Sequence, residues 1–404
     1  MIRSPLSVLA ASLLALAAGA CRNSPTTGNE QPDLAEDMAA TEQPDLTMPA
    51  PPADFSVPPP DLTGADLTPP PPPPPPTEFM VLRVGDGAAT LSSASAAAFI
   101  ERYKVSDGTA IGSPLPLPTA VSGANRRLTI GGSTNSEGAL SRSGDGKYVL
   151  VGGYDAAVGT AAVAATKSVD TNRVIGRIDK DGNIDTTTAG DFFSGANLRT
   201  VASTDGMSLW AGSNAQLVYL TFGPVTQTTT IVSLNVRSAH VFGGQLYASS
   251  SSNPYKGIST VGAGTPTAAA TAKLLSGFET QTATSHYGFV GIDSDGMPGF
   301  ETLYVADDSA TTAGGGVQRW TRSGTTWSYD GVFNKGLTAG ARGLAGYQTE
   351  TGAVVIAATA ETQNRLVKFI DDKVAKDKLK DVDAIELAKA GDKTAYRGVA
   401  LSPN

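Results

Sequence analysis

Two histidines, one aspartate-rich turn, and six short segments that open on an arginine, tyrosine or glutamate are where this chain could do chemistry. The segments are Glu137-Gly138-Ala139-Leu140, Arg199-Thr200-Val201-Ala202, Arg237-Ser238-Ala239-His240, Tyr287-Gly288-Phe289-Val290, Arg342-Gly343-Leu344-Ala345 and Arg397-Gly398-Val399-Ala400. Each begins with a polar residue, continues with a small one, and then alternates apolar positions. If they are equivalent strands around one axis, their first residues form a ring of Glu137, Arg199, Arg237, Tyr287, Arg342 and Arg397. Four guanidinium groups against one carboxylate would hold a carboxylate, a phosphate or an acidic sugar through bidentate forks. The same arginines could instead pair with nearby carboxylates and carbonyls and serve only to lock the segments together.

His286 precedes Tyr287 and so falls at the rim of that ring, as the candidate for proton transfer. His240, inside a segment, reads as a core imidazole. With two histidines a three-His zinc site cannot form. Asp293-Ser294-Asp295-Gly296 sets oxygens at the spacing of a calcium loop, which makes Asp293 and Asp295 candidate metal ligands, and Asp179–Asp185 offers a second such loop. Both also read as Asp-Gly hairpin turns, the first because Met297 stands where a third oxygen is needed, so no cofactor is expected. The chain has no Gly-x-Ser-x-Gly elbow, no phosphate-cradling Gly-x-x-x-x-Gly-Lys loop and no His-Glu-x-x-His helix.

The elements that would position the ring are strands. Glycine numbers 45 and charged residues make up only 17%, a balance that suits many short strands joined by tight turns. A turn follows most of the six starts, as in Gly144-Asp145-Gly146, Thr204-Asp205-Gly206 and Gly243-Gly244. A second apolar run then follows: Tyr148–Val151, Leu209–Ala211, Leu246–Ala248, Leu303–Ala306 and Val354–Ala357. Asp-Gly or Gly-Gly between alternating runs is the strongest short-range hairpin signal. The starts lie 38 to 62 residues apart, close to the length of one four-stranded propeller blade. The pattern predicts an all-β, six-bladed β-propeller over residues 79–404, and Leu115–Ile130 has the length to hide part of a seventh blade. The last start, Tyr396–Leu401, lacks a second strand, and Phe79–Val84 looks like a second strand without a first. Joining them closes the ring and removes an open sheet edge. The highly charged stretch 371–393 reads as a solvated loop or short helix inserted before the closing strand.

Residues 1–20 run from Arg3 through an apolar stretch, Leu6–Leu16, to the small residues Ala17-Ala18-Gly19-Ala20, the plan of a secretory signal peptide. Cys21, the one cysteine of the chain, follows at once. Ala18-Gly19-Ala20-Cys21 resembles the lipobox of bacterial lipoproteins, with Ala18 where that family prefers leucine. The resemblance implies a diacylglycerol thioether on Cys21, cleavage before it and acylation of the new amine. Two or three acyl chains, each buried methylene adding about 0.8 kcal/mol, anchor firmly where one does not. In that family an aspartate after the cysteine retains the protein at the inner membrane. Arg22 stands there instead, which implies the outer membrane or cell surface.

Residues 21–78 hold 17 of the 26 prolines and end in eight in succession, Pro69–Pro76, after repeated Pro-Asp-Leu pieces at 32–34, 44–46 and 60–62. Such a segment has too few apolar side chains to form a core and reads as a disordered tether, its last run a polyproline II rod of about 25 Å. Ten acidic residues lie in it against Arg22 alone, so the net charge of −8 belongs to the tether and the head is neutral. A neutral head lacks the basic face that nucleic acid requires.

The head resembles an uncharacterised family of bacterial secreted propeller proteins, on Val84-Gly85-Asp86-Gly87, Ser136–Ser141, Leu303–Asp308 and Tyr396–Ala400. Propellers host unrelated activities, so the resemblance speaks to fold alone. The expected function is a membrane-anchored binding or scaffolding head that contacts a protein, a glycan or a small anionic ligand at the channel mouth. A secreted hydrolase or lyase acting at the same mouth is the second expectation, and a structural envelope component the third.

Overall fold

The computed structural model describes residues 74–280, 284–293 and 299–404. The expected signal peptide, Cys21 and most of the expected tether lie outside these residues, as does Asp295. The described chain forms six four-stranded antiparallel sheets. Blade 1 comprises Ser141–Arg142, Val149–Tyr154, Arg173–Ile178 and Ile184–Gly190. Blade 2 comprises Leu198–Ser203, Ser208–Ser213, Leu217–Thr221 and Thr229–Val232. Blade 3 is Ser238–Phe242, Gln245–Ser250, Gly257–Val261 and Ala272–Leu274, and blade 4 is His286–Ile292, Thr302–Asp307, Gly316–Ser323 and Thr326–Phe333. Blade 5 is Ala341–Gln348, Ala353–Thr359, Arg365–Asp371 and Ile385–Lys389. Blade 6 takes its innermost strand, Ala395–Leu401, from the end of the chain, and the others, Glu78–Val84, Ala98–Lys104 and Leu115–Pro116, from the beginning.

The closure joins the segments that lack partners in sequence. Phe79 pairs with Leu401, Val81 with Val399 and Val84 with Ala395. No seventh blade forms among the described residues: Leu115–Pro116 is the outer strand of blade 6, and Ile130–Gly131 makes a small ladder with Ser95–Ala96.

Each blade is packed on both faces, and this explains why the second strands read as continuous apolar runs. Ala353–Thr359 is buried at every position. Along it Val355 and Ala357 enter the cluster shared with blade 4, while Val354, Ile356 and Ala358 enter the cluster shared with blade 6. The period of two therefore divides one strand between two cores. One such cluster lies at each of the six blade interfaces. Burial of each Val, Ile or Phe there contributes about 1.5–3 kcal/mol.

The small residue in the repeat has a cause that only the assembled ring shows. Inner strands meet backbone to backbone around the axis. A Cβ on Gly288 would lie 2.8 Å from the Arg342 carbonyl oxygen. One on Gly343 would overlap the Arg397 carbonyl, and one on Gly398 would overlap the backbone of Gly138–Leu140. The Gly398 amide donates to the Gly138 carbonyl at 2.9 Å, which shows how near these chains run.

The 371–393 stretch departs from its sequence reading. Ile385–Lys389 is the fourth strand of blade 5, and Leu379 in the 3₁₀ turn Lys376–Asp381 is buried against blades 4 and 5. An outer strand shows one face to water, so polar residues at alternate positions mimic a loop composition. Asp371 is buried too, accepting two bonds of 2.8 Å from Arg319 of blade 4 and one of 2.6 Å from the Tyr304 hydroxyl. Arg319 also bonds Asp330 at 3.1 Å, and Lys376 pairs with Asp330, so a buried ionic network joins blades 4 and 5.

The Ala/Thr-rich insertion in blade 1 folds around one arginine. Arg173, fully buried, donates to the carbonyls of Thr171 and Ala196 at 2.8 Å and of Thr166 at 3.0 Å. Its guanidinium lies 5.1 Å from the centre of the Tyr154 ring, and Val163 packs beside that ring.

Candidate functional site

Residues from five blades, on the inner strands or in the turns before them, meet at one end of the central channel. Glu137, Arg237, Tyr287, Arg342 and Arg397 line a cavity there, with Asn135, Ser136 and His240. The room inside is about 30 Å³, space for about two waters. Arg199 of blade 2 stands behind this lining and reaches the ring through its neighbours.

Asparagines set the arginines in place. Arg199 donates to Asn235 Oδ1 at 2.6 Å, to the Val236 carbonyl at 3.0 Å and to Asn197 Oδ1 at 3.2 Å. Asn197 in turn donates to Ser136, and Asn235 to Ser252. Arg397 bonds Asn135 Oδ1 and, at 2.7 Å, the Gly132 carbonyl. Arg237 donates to the Tyr287 hydroxyl at 2.9 Å and lies 4.8 Å from the ring centre, so Tyr287 stands between Arg237 and Arg342. Arg342 alone has a carboxylate, Asp308 Oδ2 at 2.9 Å.

The ring is thus undercompensated. Among the described residues, Arg199, Arg237 and Arg397 have no acidic hydrogen-bond partner, and the Nε atoms of Arg237 and Arg397 are buried without any partner. Burial, reinforced by Arg237, pulls Arg199 down to about 10, and burial reinforced by Arg342 does the same to Arg397. Glu137 makes no hydrogen bond to them, and its charge acts on Arg199 and Arg397 only through space. Its carboxylate turns inward, accepting the Tyr154 hydroxyl at 2.7 Å and the Gly131 amide at 2.9 Å, and burial raises its pKa.

The two histidines occupy the reverse of their expected places. His286 is fully buried within blade 4, where Nε2 lies 3.1 Å from Gln318 Oε1 and the ring packs edge-on to Phe278. Gln318 also donates to Asp307 at 3.1 Å and accepts from Trp320 Nε1. Because its Oε1 already accepts there, Nε2 carries the imidazole proton. His286 and Tyr287 are adjacent, and successive strand side chains face opposite ways, so only Tyr287 reaches the mouth. His240 does line the channel. It bonds Ser238 Oγ at 3.0 Å, lies parallel to Phe242 and meets the Phe289 edge, and burial lowers its pKa to about 4.

Below His240 the channel widens into a second chamber with about 240 Å³ of room. Its walls are Phe242, Phe289, Val290, Ala345, Ala400 and Leu401, with Arg142 and Ser143 among its polar members. The chambers share Leu140, His240, Leu344 and Val399.

The Asp179–Asp185 loop does not gather its oxygens. Asp179 accepts the amides of Asp181 at 3.0 Å and Asn183 at 2.9 Å, the arrangement of an Asx turn, and Asp181 pairs with Lys180. Asp293 is the last described residue before a gap that takes in Asp295. Among the described residues no three His, Cys, Asp or Glu side chains come together as a metal site.

Asn135, Asn197 and Asn235 escape sequence reading because they sit in loops between blades, and Asp308 because it sits in a loop inside blade 4. The available signal is an asparagine two residues before an arginine start, as in Asn197/Arg199 and Asn235/Arg237.

No family model matches the chain, and no curated protein matches it. Solved structures with similar architecture include a protein of unknown function from Bacteroides caccae, 9% identical, covering 80% of this chain and 98% of that one at a TM-score of 0.43. Streptogramin B lyase is 13% identical over 80% of this chain and 91% of its own, at a TM-score of 0.42. A chain of the nidogen/laminin complex is 10% identical over 80% and 97%, at 0.41. These likenesses carry no argument about activity. The protein is a six-bladed β-propeller with an arginine-lined channel mouth.

Proposed function

We propose that this chain is an exported, lipid-anchored binding protein whose propeller captures a small anionic ligand at the arginine mouth. The observation that carries the reading is the pair of buried, unpartnered Nε–H groups on Arg237 and Arg397, in a ring whose cations outnumber the carboxylates bonded to them. A buried donor left unsatisfied costs about 1–3 kcal/mol, and an anion accepting from both would recover that while relieving repulsion between guanidinium groups. The room at the mouth suits a carboxylate or one face of a phosphate. The hydrolase or lyase reading gains nothing from the site, since His286 lies inside blade 4.

Calorimetry on the full-length Cys21→Ser chain, which carries no acyl group and needs no detergent, tests the capture. Acetate, succinate and phosphate are the first probes. Binding that weakens tenfold or more in Arg237→Gln and Arg397→Gln, and that falls with salt, supports the reading. Binding unchanged in both variants refutes it. The anchor is tested separately by radioactive palmitate, which should label the wild type and not Cys21→Ala. An unlabelled wild type refutes the anchor.

A further inference from the structure

The second chamber has no role in anion capture, yet it opens from the same channel. Blades 4, 5 and 6 present only apolar side chains and glycine to it, blade 3 adds Val241 and Phe242 beside His240, and blade 1 brings Arg142 and Ser143 with Leu140. Its room, about 240 Å³, is about eight times that of the mouth. Water there would find few partners: His240, Arg142 and Ser143 are the side chains on its wall with polar atoms. His240 is neutral near pH 7, because burial holds it at about 4, and its ring is already stacked on Phe242. Such a space favours an apolar occupant, as ligand pockets generally do when mostly apolar walls end in a few convergent polar groups.

We infer that the ligand is an amphipathic carboxylate, its head at the Arg237, Arg342 and Arg397 mouth and its alkyl or aryl body past His240 in the apolar chamber. This rests on the anion-capture reading and adds the chemistry of the rest of the molecule. The inner strand of blade 5 sets the scale. From Arg342 at the mouth to Gly346 on the chamber wall is four residues, about 13 Å at strand rise. That length accommodates a chain of medium length. Arg142 at the far rim is a less suitable head-group partner, because its Nε already donates to the Gly146 carbonyl, whereas those of Arg237 and Arg397 have no acceptor.

Titrating the Cys21→Ser full-length chain with acetate, butyrate, hexanoate and octanoate, and with octylamine as the cationic control, decides the matter. Affinity should rise about fourfold per added methylene, the factor equivalent to about 0.8 kcal/mol, until the chamber is filled. Octylamine should not bind. Ala345→Phe, which fills the chamber, should bring octanoate down to the affinity of acetate and leave acetate unchanged. Ala400→Leu makes the same test if that variant does not fold. Equal affinity for acetate and octanoate overturns the amphipathic ligand and leaves anion capture standing. Octanoate binding lost in Arg142→Ala but kept in Arg237→Gln overturns the orientation. Failure of every carboxylate overturns both.

Discussion

His240 should make the propeller acid-sensitive in a measurable window. Its imidazole lies between the two channel chambers, buried against Phe242 and Phe289, and burial lowers its pKa from 6.5 to about 4. The unfolded chain therefore takes up a proton near pH 6.5 that the folded chain accepts only near 4. The stabilisation is complete above 6.5 and is lost progressively as pH falls towards 4. At about 1.4 kcal/mol per pH unit the full loss is about 3 kcal/mol. Relaxation of the channel around an imidazolium makes this an upper bound. His240→Phe keeps the aromatic stack and removes the titration, at the expense of the Ser238 bond, a cost that does not depend on pH. Urea denaturation of both proteins from pH 7 to 4.5 isolates the effect, because every other titrating group, His286 included, is common to both. The wild type should lose about 2 kcal/mol more than the variant across that range. Parallel stability curves would refute a neutral, desolvated His240.

Three further outcomes follow from the packing. Gly343→Ala should destabilise by about 1–3 kcal/mol or more, since its Cβ overlaps the Arg397 backbone and neither strand can yield without moving a blade; thermal unfolding reads it, and an unchanged midpoint contradicts the close approach. Arg319→Met leaves Asp330 and Asp371 buried without their guanidinium and should cost about 3–5 kcal/mol, read by urea denaturation; an unchanged midpoint contradicts the buried network. Arg173→Met should release the 157–171 insertion, so that limited proteolysis cuts there first while the blades survive.

The recurring position was legible as residue types, and a repeat places Glu137, Arg237, Tyr287, Arg342 and Arg397 equivalently around an axis, but Arg199 stands behind them. The roles of the two histidines were not legible. His286 lies one residue from the ring, and one residue of strand turns a side chain to the other face of its blade. The outer strand Ile385–Lys389 was obscured for a related reason: an edge facing water keeps the composition of a loop. Arg173 and Arg319 gave no sign of burial, since their acceptors come from segments distant in the chain.

What the chain's own pattern determined was the number of blades, the hairpins and the closure. These depend on local turn chemistry and on a period-two apolar alternation, both written within a few dozen residues. What only the tertiary structure decided was which faces meet. The Asn135, Asn197 and Asn235 supports, the turned-in Glu137 and the two-chambered channel arise where loops from different blades converge, and no local preference encodes a distance between residues a blade apart.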